Sequence, residues 1–179
     1  RGFNARIARQ TGFAVVFLVL AFALGLNARY IVNQFGHVDP LSYLNGTLSR
    51  DEYITKYRFE YPAMQYVNDN LPANALILFL FIGKRGYYCD RKYIPDTVGQ
   101  LKSLHRLVEL SNDSEKIWLG LRKKGITHLM IQMGFFSRWA NDSFILEKRQ
   151  VLQDFFKNHL RLLYSRNGVG VFSLQKPAL

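Results

Sequence analysis

The chain has 179 residues, 49% of them hydrophobic and 15% aromatic, with 24 Lys and Arg against 13 Asp and Glu for a net charge of +11. That apolar and aromatic content excludes a disordered chain and suits one packed domain. A lone Cys89 excludes an intrachain disulfide and a cysteine-rich metal site, and His37, His105, His128 and His159 lack metal-ligand spacing.

The first element is an apolar run, Gly12 to Leu26, inside an uncharged stretch from Gln10 to Ala28. A hydrocarbon core about 30 Å thick needs roughly 20 residues of helix, and the stretch meets that with Thr11 and Asn27 at the interfaces. Arg1, Arg6 and Arg9 precede it; Arg29, Tyr30 and Phe35 follow it. Long cationic side chains reach back to headgroups and aromatic rings favour the interface, so both flanks read as anchors. The basic flank predicts a cytoplasmic start and places all later residues outside the cytoplasm. A cleaved signal peptide shares this pattern, but the small-residue step Ala21-Phe22-Ala23 lies inside the apolar run rather than after it. A buried core helix is the other alternative, and apolarity around the whole circumference counts against it. The chain opens at Arg1 rather than Met, which suggests a piece of a longer protein.

Ile31 to Leu48, with Gly36, Pro40 and Gly46, is predicted to be a connector. Ser49-Arg-Asp-Glu52 fits a capping box for a short helix through Tyr57. Tyr61 to Leu71 is a helix with Ala63, Tyr66, Val67 and Leu71 on one face, stopped before Pro72. Ala75 to Ile82 is a continuous apolar run, too short to span a membrane and suited to a strand buried on both faces. After Gly83-Lys-Arg-Gly86, Tyr87 to Ile94 is a second extended segment or loop.

Asp96-Thr97 opens a helix through Leu110, with Leu101, Leu104, His105 and Val108 inward. A further helix runs from Asn112 to Lys124, carries Ile117, Trp118 and Leu121, and stops at Gly125. Thr127 to Met133 is a buried strand. Asp142-Ser143 is predicted to start a long helix to His159, with Phe144, Leu152, Phe155 and Phe156 inward. Asn45, Asn112 and Asn141 match the glycosylation acceptor triplet, but Asn112 and Asn141 also suit helix starts. The turn Arg166-Asn-Gly168 between two apolar segments is a strong hairpin signal.

These elements predict an α/β fold of three layers: a mostly parallel mixed sheet with a C-terminal antiparallel hairpin, preceded by one transmembrane helix. The division is 1–35 for the anchor with its basic cytoplasmic flank and 36–179 for the extracytoplasmic α/β domain.

Three of the charges lie on Arg1, Arg6 and Arg9, which leaves +8 beyond the apolar run. A basic domain beside a membrane suits anionic headgroups or a phosphorylated ligand, while export argues against nucleic acid. A solvated basic surface without a ligand accounts for the same charge. The candidate site is Gly83-Lys84-Arg85-Gly86, at the carboxyl end of the first buried strand, where open α/β sheets hold ligands. Lys84, Arg85 and Arg91 supply charge toward a phosphate or headgroup, and Tyr87 and Tyr88 supply aromatic surface for a sugar or headgroup. A basic turn, an Asp90–Arg91 surface pair and two packed tyrosines explain the same residues without a ligand. No helix follows directly, as a phosphate-binding fingerprint requires, and no Gly-x-Ser-x-Gly, Walker or dinucleotide motif occurs. Neither a catalytic residue nor a cofactor is expected here.

Several stretches carry a resemblance: the apolar helix with its basic start, Tyr43 to Tyr53, Tyr66-Val-Asn-Asp-Asn-Leu-Pro72, the strand ending at Gly83-Lys-Arg-Gly-Tyr-Tyr88, Gly125-Ile-Thr-His-Leu129, and the terminal hairpin Tyr164 to Leu174. Together they resemble the carboxyl end of bacterial polyprenyl-phosphate-dependent membrane glycosyltransferases, related to protein mannosyltransferases and the lipid A aminoarabinose transferase. The resemblance implies a multi-span inner-membrane protein with a periplasmic C-terminal domain, working on a lipid-phosphate sugar and a glycan acceptor. It implies a catalytic acid in an early extracytoplasmic loop, so no catalytic residue carries over to any position here. The expected partners are membrane lipid, that donor and acceptor, and the remainder of the transferase chain. The other reading of the residues is an anchored module that binds an envelope protein or glycan.

Overall fold

A computed structural model describes the backbone over residues 2–176 and the side chains over 9–176; Arg1 of the basic flank lies outside the described residues. The chain divides into two compact units, Arg1–Tyr53 and Ile54–Leu179.

In the first unit, α1 (Gly2–Val38) is one uninterrupted helix. The predicted connector therefore begins later than Ile31. A glycine inside a helix costs about 1 kcal/mol relative to alanine, and Gly36 does not break this one. The break comes at Asp39, whose φ of 45° is left-handed, ahead of Pro40 at the start of α2 (Pro40–Leu44). From Arg9 to Val38 the helix is long and apolar enough to cross a membrane, with a mean hydropathy of 2.1 in its apolar window and none of that window buried. The capping box forms at the start of α3 (Arg50–Tyr57). The Ser49 N–H donates to Glu52 Oε2 at 2.9 Å and the Glu52 N–H to Ser49 Oγ at 3.3 Å. The Ser49 bonds hold the Glu52 carboxyl below its usual pKa.

The second unit is built on a five-stranded mixed sheet: β1 (Leu76–Leu80), β2 (Lys92–Ile94), β3 (His128–Gln132), β4 (Leu160–Arg166) and β5 (Val169–Leu174), in the order β2-β1-β3-β5-β4. β1 lies parallel to β2 and β3, with Leu78 opposite Ile94 and Leu129. β5 is antiparallel to β3 and β4, with Met130 opposite Val171 and Ser165 opposite Gly170. Four strands thus share one direction, and β5 alone opposes them. The hairpin turn has φ of 52° at Asn167 and 76° at Gly168, the positive pair that a tight two-residue turn demands.

Side chains alternate across a strand, so a sheet covered on both faces needs apolar residues at every position. Ile77, Phe79, Met130 and Val171 face α4 (Tyr61–Asn70), which contributes Ala63, Met64 and Val67. Leu78, Leu80, Leu129 and Ile131 face the opposite layer. That layer is α5 (Val98–Leu110), α6 (Ser114–Lys123), α7 (Met133–Ser143) and α8 (Leu146–His159). The result is the three-layer α/β arrangement read from the sequence.

Three local expectations are corrected. α7 fills residues 134–141, to which no element was assigned, and also takes Met133 from the predicted strand and Asp142 and Ser143 from the predicted helix start; Asn141 lies in its last turn rather than at a helix start. The following helix begins at Leu146, because Phe144 is extended and buried, its ring 4.8 Å from His105 and 5.1 Å from Trp139. Burying that ring outweighs the cap that Asp142 and Ser143 offered. The N-cap of α6 is Asp113, not Asn112: its Oδ1 accepts the Lys116 N–H at 2.9 Å.

Candidate functional site

The loop 81–91 joins β1 to β2, and its Tyr88 and Cys89, with Tyr93 of β2, pack against the α4 half of the core. All five candidates, Lys84, Arg85, Tyr87, Tyr88 and Arg91, lie on it or at its end. Its start is conformationally demanding: Phe81 has φ of 61° and Gly83 φ of 73°. Phe81 is a bulky residue in left-handed geometry, and such a residue needs its surroundings to hold it there. Asp96, just after β2, does so by accepting the Phe81 N–H at 2.6 Å on Oδ2. Asp96 Oδ1 is buried without a hydrogen-bond partner among the described residues. Burial raises the Asp96 pKa, and the backbone N–H groups of Phe81 and Gly83 pull it back.

The three cations have different environments. The Arg91 guanidinium turns inward, where Nε donates to the Leu71 carbonyl at 2.9 Å and Nη2 to the Asn68 carbonyl at 2.5 Å. A helix leaves its last carbonyls without intrahelical partners and carries negative partial charge there, so Arg91 closes the end of α4. Arg85 stands 5.6 Å over the Phe59 ring, with Nη1 at 3.9 Å from Glu60 Oε2. Glu60 is only 2% exposed and also meets Arg58 Nη2 at 2.9 Å. Lys84 is exposed.

The tyrosines divide similarly. Tyr88 packs edge-on against Tyr61 at 4.9 Å, and its carbonyl accepts from Asn68 Nδ2 at 2.9 Å. Asn68 Oδ1 in turn accepts the Asp90 N–H at 2.8 Å, so one side chain ties down both halves of the loop. Tyr87 is 89% exposed. Gly86 is buried for a reason unrelated to anions: a Cβ there would lie 2.1 Å from Cζ of Tyr93, whose ring stacks on Phe79 at 4.7 Å. Burial pushes the Cys89 thiol pKa up, which makes it a poor nucleophile.

The structure therefore gathers the five residues on one loop and splits them by exposure. Lys84, Tyr87 and half-exposed Arg85 face outward, while Tyr88 and Arg91 hold the loop's shape. An outward cation pair beside an exposed aromatic ring suits contact with an anionic group at a lipid interface. Glu60, Asn68 and Asp96 were not singled out as supports of the loop. Each acts on residues 15 to 25 positions away, and no local sequence signal marks such a link.

No family profile matches the chain, and no curated protein matches it. Among solved structures, it is similar to the crystal structure of the C-terminal globular domain of an oligosaccharyltransferase from Archaeoglobus fulgidus. The TM-score is 0.44 and the identity 12%, over 72% of this chain and 99% of that one.

Proposed function

We propose that this chain is the anchor helix and periplasmic C-terminal domain of a bacterial inner-membrane glycosyltransferase that uses a polyprenyl-phosphate sugar donor. The division is 1–35 for the anchor and 36–179 for the domain. The domain does not perform the transfer. It covers the membrane-embedded site formed by the remainder of the chain, and through Lys84, Arg85 and Tyr87 it steadies the lipid-phosphate donor or the glycan acceptor. Arg91 and Tyr88 shape that loop from within.

The observation that carries this reading is α1. Its apolar window is wholly unburied, and lipid is the medium that would cover it without cost. The residue stretches that resemble the transferase family supply the specific assignment. The test uses membranes that carry the full parent chain and a radiolabelled polyprenyl-phosphate sugar. Lys84→Glu combined with Tyr87→Ala is expected to raise the donor or acceptor KM at least threefold and leave the amount of folded protein unchanged. Unaltered kinetics would remove the ligand role of the loop. Absence of any lipid-linked sugar transfer by the full chain would remove the transferase assignment.

A further inference from the structure

A second place in the domain, lined by no residue of the 81–91 loop, has the make-up of a binding site. α7 and α8 do not close on one another. Between them lies a trough of about 460 Å³, within the range of small-molecule sites. Each wall follows helical i, i+3, i+4, i+7, i+8 spacing, from Met133 to Asn141 on α7 and from Arg149 to Lys157 on α8. The floor is apolar, formed by Leu152 with Phe136 and Phe156, whose ring centroids are 5.3 Å apart. Among the described residues no acidic one lines it, and the two charged residues that do are both cations.

The cations sit at opposite ends. Eight residues of helix put Lys157 roughly 12 Å along the axis from Arg149. Arg149 is under-used: Nη1 donates to Asn141 Oδ1 at a long 3.4 Å, and the residue lines the trough. A guanidinium's terminal fork is shaped for a two-oxygen anion, and no acidic side chain among the described lining residues competes for it. Apolar walls beyond that fork then ask for a chain rather than a free ion.

The geometry points to a binding site for a single-chain amphiphile with an oxyanion head, seated on Arg149 with its chain running over Phe136 and Phe156 toward Lys157. A carboxylate and a phosphate monoester share that chemistry. A chain of about eight carbons matches the length of the trough. A neutral amphiphile gains no charge-assisted bond from Arg149, and a cationic one is repelled from both ends. The site does not depend on the parent protein being a transferase.

The chain holds two tryptophans, and Trp139 on α7 lies 5.4 Å from the Phe136 ring. The full chain carrying Trp118→Phe, in phosphatidylcholine vesicles, therefore reports on the trough through Trp139 emission. It is titrated with octyl phosphate, octanoate, octanol and octyltrimethylammonium. A saturable change is expected with one or both anions, the tighter of them identifying the head group, and only linear partitioning with the other two. Arg149→Gln should weaken binding about tenfold or more, the loss of a charge-assisted fork. Ala140→Leu, which fills the trough, should weaken it comparably and retain the thermal midpoint. Saturation by octanol at the same concentration, anion binding indifferent to both substitutions, or no saturation by either anion would each overturn the proposal.

Discussion

Arg91 separates a structural from a ligand-binding role most sharply, and Arg91→Met keeps the aliphatic stem while deleting the guanidinium. Two bonds are lost, to the carbonyls of Leu71 and Asn68. Charge-assisted bonds contribute about 1.5–3 kcal/mol each when well buried, and Arg91 is half-buried, so about 1 kcal/mol each is reasonable. The favourable interaction with the α4 terminus adds about 0.5 kcal/mol. A loss of about 2–3 kcal/mol follows, and for a unit of this size the unfolding midpoint should fall by about 5–10 °C. Lys84→Met, on the same loop, should stay within about 0.5 kcal/mol. Thermal unfolding of the full chain, followed by circular dichroism, reads both. A midpoint for Arg91→Met within about 1 °C of the parent chain, together with lost binding of an alkyl phosphate, would refute the structural role.

Other substitutions test neighbouring points. Gly86→Ala pushes a Cβ into the Tyr93 ring and should cost about 1–3 kcal/mol by urea unfolding, with partial recovery when Tyr93→Ala is added. Gly168→Ala, at φ of 76°, should lose about 1–2 kcal/mol without altering helix content. Burial lowers the His128 pKa from its usual 6.5, so the unfolded chain takes up a proton before the folded one does. That contribution to stability is present above about pH 6.5 and is lost as pH falls through the folded pKa. Denaturation midpoints should decline from about pH 7.5 to about pH 5.5, and His128→Asn should flatten that slope.

Much of the fold is legible because several signals are local. The Ser49–Glu52 box, the Asn167-Gly168 turn and the unbroken apolar runs at β1 and β3 each declare themselves within a few residues. α7 does not. Gly134, Asn141, Asp142 and Ser143 are weak helix formers, and the helix follows β3 with no intervening loop. It is held by the Gln132 Oε1 cap on the Phe135 N–H at 2.8 Å and by burial of Phe136, both available only once β3 is in the sheet. The trough shared by α7 and α8 was hidden for the same reason.

The loop was legible as a location, not as a division of labour. Lys84, Arg85 and Arg91 look equivalent in the sequence, yet the end of α4 takes Arg91 inward, while Arg85 stays half-exposed beside Glu60. Those partners arrive from more than 19 positions away, and charge alone does not announce them.

The central claim is that α1 spans a lipid bilayer and carries the α/β domain outside the cytoplasm. The direct measurement is labelling of Asn167→Cys, at the hairpin tip, in a Cys89→Ala chain, with a membrane-impermeant maleimide applied to intact spheroplasts. Labelling before permeabilisation, at the level of a known periplasmic control, is the predicted result. Labelling that appears only after the inner membrane is opened would place the domain in the cytoplasm and contradict the account.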